Sequence, residues 1–276
     1  MSIAQKVKNI LGHTERIFGR KPVSSELLVI CMHSTPADRI ADFKKIVDFL
    51  DQRYTYLHAS EMEQFMTSHY KDGPYYTLTF DDGLKNNFHT AQWLASQGKK
   101  ATYFVVPDFI ESDDQANYYQ THIRPIIDRT IDHEKEDITA MSWTDLRILQ
   151  EQGHVIGAHS ASHRLNNEMD EPALHYELVD AKKRIEENLG IRVNVFASPN
   201  NTLFSVNKKC ADLIKQHYSF HHITVPGSLA DDRQSLMIYR RNIEVYWKKG
   251  AILYALGHWD LKRWRSAQSQ IAALLR

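Results

Sequence analysis

The chain has 276 residues, 42% of them hydrophobic, with 34 basic and 34 acidic side chains and two cysteines. That is enough apolar material for one large α/β domain or two small ones. The zero net charge argues against a nucleic-acid partner recruited by bulk charge, and two cysteines cannot make a disulfide framework.

The opening stretch, MSIAQKVKNILGHTERIFGRK, has neither the apolar core nor the small-residue cleavage site of a signal peptide. No run approaches the roughly 18 apolar residues that span a bilayer. A cytoplasmic location is therefore expected. Residues 1–25 read as a helical extension packed on the domain. As a short basic amphipathic helix they are also the candidate for peripheral attachment to a membrane surface.

LLVICMH (27–33) then reads as a buried strand and ADRIADFKKIVDFLDQ (37–52) as an amphipathic helix. YTLTF (76–80) is the next strand, followed by a helix over 87–98 closed by Gly98 and a strand at ATYFVV (101–106). Residues 142–153 form a helix with Ser142 as N-cap and Gly153 as C-cap. HVIGAHS (154–160) is a strand, 172–190 a long helix, VNVFASP (193–199) a strand and 205–217 a helix. HHITVPG (221–227) and IYRRNIEVYW (238–247) are strand candidates, and 260–276 is a C-terminal helix. Cys31 and Cys210 read as buried thiols. Residues 111–140 break the rhythm. They are polar, with scattered aromatics and no period, and read as an insertion over one end of the sheet. Repeated strand–helix alternation predicts a parallel sheet in a single catalytic domain, 1–276. About seven such units suit a barrel, with a doubly wound open sheet as the other arrangement.

Two clusters carry chemistry. In TFDDG, Asp81 and Asp82 stand side by side at a strand end, a costly pair of like charges. In GAHSASH, His159 and His163 are four apart, so both imidazoles can face one ion. An isolated Asp-Asp-Gly is usually a turn, and an isolated H-x-x-x-H is usually two exposed helix residues. Here each follows a strand, so a parallel sheet brings all four to one edge. Two imidazoles and one carboxylate leave positions open, as a catalytic metal requires.

TFDDG with the following helix and ATYFVV resembles the first motif of the polysaccharide deacetylase family, the chitin-deacetylase-like carbohydrate esterases. MSWTDLRILQEQGHVIGAHSASH (141–163) is similar to its second motif, and FASPNN (196–201) to a variant of its third. The resemblance spans about residues 27–245. It implies a distorted (β/α) barrel of about seven strands. It also implies a divalent metal, commonly zinc, with cobalt, manganese or nickel as others. The reaction it implies is hydrolysis of an N- or O-acetyl group on a sugar or glycoconjugate, with a precursor in surface polysaccharide assembly as the expected substrate. By position, Asp82, His159 and His163 would bind the metal and Asp81 would be the general base. Ser160 would support the histidine loop. The backbone N–H of Asn200, after Pro199, would help to hold the oxyanion.

The general acid is not fixed by these motifs. His33, at the end of the first strand, and His258, in LGHWD, are the two candidates carried forward, with His222 a third. The third motif lacks the family's Arg and Gly. Arg240 or Arg241 could pair with Asp81 instead, and Asn201 could take the left-handed position of the Gly. Other readings are hydrolysis of another linear or cyclic amide on the same scaffold, or a catalytically silent carbohydrate-binding protein.

Overall fold

The computed structural model describes residues 26–67, 73–124, 138–200, 202–227, 237–256 and 258–274, together with Ile10. The expected extension over 1–25 and residues 125–137 of the expected insertion lie outside the described residues.

Eight parallel strands make one sheet: β1 (Leu27–Met32), β2 (Thr55–Tyr56), β3 (Tyr75–Phe80), β4 (Thr102–Val105), β5 (Val155–Ala158), β6 (Val195–Ala197), β7 (Phe220–Ile223) and β8 (Met237–Asn242). The order is β1-β8-β7-β6-β5-β4-β3-β2, and β1 also pairs with β3. Seven strands thus close into a parallel barrel, as the alternating pattern predicts. β2 pairs only with the first two residues of β3, on the edge that β4 takes further along. At two residues β2 is too short to show a period, so the sequence did not announce it. β8 is shorter than expected, because the chain leaves the sheet at Asn242.

Period two sorts the strand residues. Leu28, Ile30, Met32, Tyr76, Leu78 and Phe80 share a core with Phe43, Ile46, Val47 and Leu50 of helix Ile40–Asp51. That face points outward to the helices. Leu27, Val29, Tyr75 and Ile238 point the other way and are packed by Leu57, Met62, Phe65 and Met66. Thr77, Thr79 and Asp81 continue the inward column towards the C-terminal strand ends, where barrels of this kind carry their chemistry.

The expected N-cap holds, while the C-cap is Gln152, with Gly153 left-handed just past it. Ser142 and Asp145 form a reciprocal capping box on helix Trp143–Glu151. Gly157 in β5 is needed for space: a Cβ there would lie 2.5 Å from Phe104 and 2.8 Å from Val195. The Phe104 ring cannot swing aside, since it packs 4.9 Å from the His222 ring and 5.3 Å from the Arg240 guanidinium. Gly157→Ala is expected to cost about 1–3 kcal/mol in urea unfolding. An unchanged midpoint would mean that the barrel interior is looser than this packing implies.

Candidate active site

Asp81 is the first residue past β3 and sits on the inward parity. Asp82 has φ 69° and Gly83 φ 68°, so the chain turns left-handed at once and brings the second carboxylate back over the same opening. The described non-glycine residues with positive φ are Asp82, Ser160, His163 and Asn200. All four lie at this one site. Strain concentrated in this way marks a surface held for function.

Asp82 Oδ1 lies 3.4 Å from His159 Nε2 and 3.2 Å from His163 Nε2. All three residues are buried, and their ligand atoms lie within 4.8 Å of one another. The tautomers follow from the other ring nitrogens. His159 Nδ1–H donates to the Ala197 carbonyl at 2.8 Å, and His163 Nδ1–H to the His122 carbonyl at 3.0 Å. A carbonyl only accepts, so both Nδ1 atoms carry a proton, which leaves each Nε2 as the nitrogen that faces Asp82 and can offer a lone pair. Neither Asp82 oxygen has a hydrogen-bond partner. A buried group of acceptors without a proton to share fits a divalent cation, and the backbone carbonyls orient the imidazoles as metal sites require.

The loop carrying both histidines is fastened at several points. Ser160 Oγ accepts the His163 N–H at 3.0 Å, a support of the kind expected of that serine. Glu177, buried in a π turn over Tyr176–Asp180, accepts the Ser162 N–H at 3.0 Å and the Ser162 hydroxyl. The Glu177 carbonyl takes the Ala161 N–H at 3.1 Å. Glu177→Gln places an amide donor against those donors. If the histidine loop holds an ion, the change is expected to weaken uptake of added zinc by about 10–100-fold in a chelator competition. A change within experimental error would relegate Glu177 to plain packing.

Asp81 is held differently. Arg240 Nη1 donates to Oδ1 at 2.6 Å and Nη2 to Oδ2 at 2.8 Å. The Cys31 thiol donates to Oδ2 at 3.3 Å. Burial raises the Asp81 carboxyl, and the Arg240 guanidinium overrides it, leaving the group well below its ordinary value. The strand register decides between the two arginines. Arg240 pairs across from Val29 on the inward face, while Arg241 faces out and donates to the Ala255 carbonyl at 2.8 Å.

Opposite lies His33, past the end of β1. Its Nδ1 meets Glu244 Oε1 at 2.6 Å, and its N–H donates to Oε2 at 3.3 Å. Burial lowers the His33 imidazole, but the Glu244 carboxylate outweighs it and pushes the value up to about 10. Glu244 was missed from sequence; its one signal is a carboxylate just past a strand end, four residues after Arg240. Asn200 stands at the rim, its carbonyl accepting the Thr224 hydroxyl at 2.8 Å, and Pro199 is buried beside it. The left-handed residue of this loop is Asn200; Asn201 lies outside the described residues. His222 is buried in β7 against Phe104, and burial keeps it well below its ordinary value. His258 opens helix His258–Leu274, and its side chain is outside the described residues.

Cys31, His33, Asp81, Asp82, His159, His163, Ser198, Asn200, Arg240 and Trp264 all border one cleft of about 250 Å³. A larger groove of about 440 Å³ lies outside the barrel between helices Ile40–Asp51 and Lys249–Leu256, and holds none of these side chains.

The sequence profile described as polysaccharide deacetylase matches residues 69–218, more than half of the chain. The chain belongs to the polysaccharide deacetylase family. That makes it a deacetylase-type hydrolase acting on carbon–nitrogen bonds. No curated protein matches it in sequence. Solved structures similar to this deacetylase include Streptococcus pyogenes deacetylase PplD in complex with acetate, with 14% identity, 86% of this chain and 100% of that one covered, and a TM-score of 0.63. IcaB from Ammonifex degensii gives 16% identity, 83% and 97% coverage, and a TM-score of 0.63. A polysaccharide deacetylase from Bacillus cereus gives 18% identity, 84% and 68% coverage, and a TM-score of 0.57. These likenesses bear on the fold, and they agree with the barrel. Among the described residues no helix is long and apolar enough to cross a membrane.

Proposed function

We propose that this deacetylase is a metal-dependent hydrolase that removes an acetyl group from an N- or O-acetylated sugar or glycoconjugate, with a surface polysaccharide or its precursor as substrate. The observation that carries the reading is the division of labour between the adjacent aspartates. Asp82 faces two imidazole Nε2 atoms that can each offer a lone pair, and Asp81 is pinned by Arg240 a few ångströms away.

Asp82, His159 and His163 are the residues that would hold the ion, zinc before cobalt, manganese or nickel. When bound there, a divalent ion supplies Lewis acidity to the acetyl carbonyl and makes a water more acidic. Asp81 accepts the proton of the attacking water, and Arg240 keeps its carboxylate ionised and oriented until then. The Asn200 N–H faces the oxygen on which negative charge develops. His33 donates its Nε2 proton to the departing amine or hydroxyl. It is preferred to His258 as the acid because Glu244 both orients the ring and keeps it charged. A silent sugar-binding protein needs neither a pinned base nor a charged histidine facing it, which weighs against that reading.

Metal analysis combined with acetate release from N-acetylated oligosaccharides tests the proposal. The purified chain is expected to carry zinc or take it up, release acetate, and lose that activity on chelation. Asp82→Asn should bind no metal at this site. A zinc-loaded chain that frees no acetate from any acetylated sugar would rule the reading out.

A further inference from the structure

We propose a second cation site, formed by Cys31 Sγ, a ring nitrogen of His33 and an Asp81 carboxylate oxygen. It takes a thiophilic divalent ion such as zinc or cadmium and switches the deacetylase off. The three donor atoms lie within 4.8 Å of one another, and none belongs to the sulfur-free set of Asp82, His159 and His163.

The local geometry suits an ion. Cys31 Sγ stands 3.3 Å from Asp81 Oδ2 with the thiol proton between them. Zinc bonds of about 2.3 Å to sulfur and 2.0–2.2 Å to oxygen, at a tetrahedral angle, hold the two atoms about 3.6 Å apart. An ion therefore replaces that proton with a movement of a few tenths of an ångström. Glu244 engages His33 Nδ1 and leaves Nε2 as the donor. A carboxylate behind the imidazole is the usual support of a ligand histidine. The ion competes with Arg240 Nη2 for Oδ2, and Arg240 retains its grip on Asp81 through Oδ1.

The charge also suits a cation. Asp81, Asp82 and Glu244 are buried here against a single permanent cation, Arg240. Uptake of the ion displaces the Cys31 thiol proton that lies against Asp81. Thiolate and imidazole favour soft and borderline ions, so magnesium and calcium are excluded. The inhibition, though not the binding, rests on the function proposed above, because the ion occupies the atoms assigned as base and acid.

The test is a cobalt titration of the full, metal-freed chain, read by absorption and by acetate release. Two cobalt ions per chain are expected, with a sulfur-to-cobalt charge-transfer band that the other three ligands cannot produce. Activity should appear with the first ion at the histidine site and be lost as the band grows. Cys31→Ser should take one ion, show no band and lose the inhibition by excess metal. Cys210→Ser, which leaves Cys31 as the only cysteine, should keep the band. Absence of the band at saturating cobalt, or its loss in Cys210→Ser, overturns the site; so does its persistence in Cys31→Ser. A chain that shows the band and both ions but frees no acetate upholds the site and sinks only the deacetylase reading.

Discussion

Arg240→Met is expected to cost the chelator-treated protein about 3–5 kcal/mol, because it leaves a buried carboxylate without its partner. Arg240 is 0% exposed and Asp81 1%, so the two charge-assisted hydrogen bonds are lost in a buried setting. The pH dependence gives the sign. With Arg240 present, Asp81 titrates below its ordinary value of 3.8. The pair's stabilisation is then complete above that value and is lost as pH falls through the depressed one. Without Arg240 the largest lowering cause is gone, and burial, which raises Asp81, is opposed only by His159 and His33. The stability that Asp81 loses on acidification is therefore expected to shrink in the variant. Urea unfolding across the acid range reads this change. Adding Asp81→Asn is expected to return most of the stability and none of the activity. In metal-loaded protein, Arg240→Met should lower turnover by about 10²–10⁴-fold, the range for losing a general base. An Arg240→Met protein that matches the wild type at every pH would refute the pairing.

Glu244→Gln is expected to move the alkaline limb of the pH–rate profile downward. The Glu244 carboxylate raises His33 from 6.5 to about 10, against the pull of burial. A general acid with that value stays charged well past neutrality. The amide keeps the shape but not the charge, so His33 falls back towards its ordinary value, with Asp81 and Asp82 the raising groups that remain. A cation bound nearby depresses the limb in both proteins, so the difference between them carries the test. The stability linkage runs the same way. Stabilisation by the His33–Glu244 pair is complete below 6.5 and is lost as pH rises towards about 10. Coincident profiles would remove His33 from the acid's role.

The half of the site built from Asp81, Asp82, His159 and His163 was legible because its residues sit in short runs. Asp81 and Asp82 are consecutive, and His159 and His163 share one loop, so residue type and spacing suffice. The barrel was legible from the alternation of strand and helix. What escaped depends on closure or on main chain. Glu244 meets His33 across 211 positions of sequence, only once β1 and β8 are side by side. Arg240 and Arg241 cannot be told apart until register assigns one to each face. The carbonyls of His122 and Ala197 fix both imidazoles, yet any residue has a carbonyl. The His122 carbonyl comes from the segment read as an insertion, so that segment is part of the site's support.

The seam between β1 and β8 divides the cleft. The profile match, 69–218, contains Asp81, Asp82, His159 and His163 but none of Cys31, His33, Arg240 and Glu244. On the roles proposed above, the three ligands and the base lie inside the match, while the acid, its Glu244 partner and the arginine that orients the base lie on either side of it. Arg240 meets Asp81 and Glu244 meets His33 only when β1, β3 and β8 are side by side. Hydrolytic competence would then be a property of the closed barrel and of no shorter stretch of it.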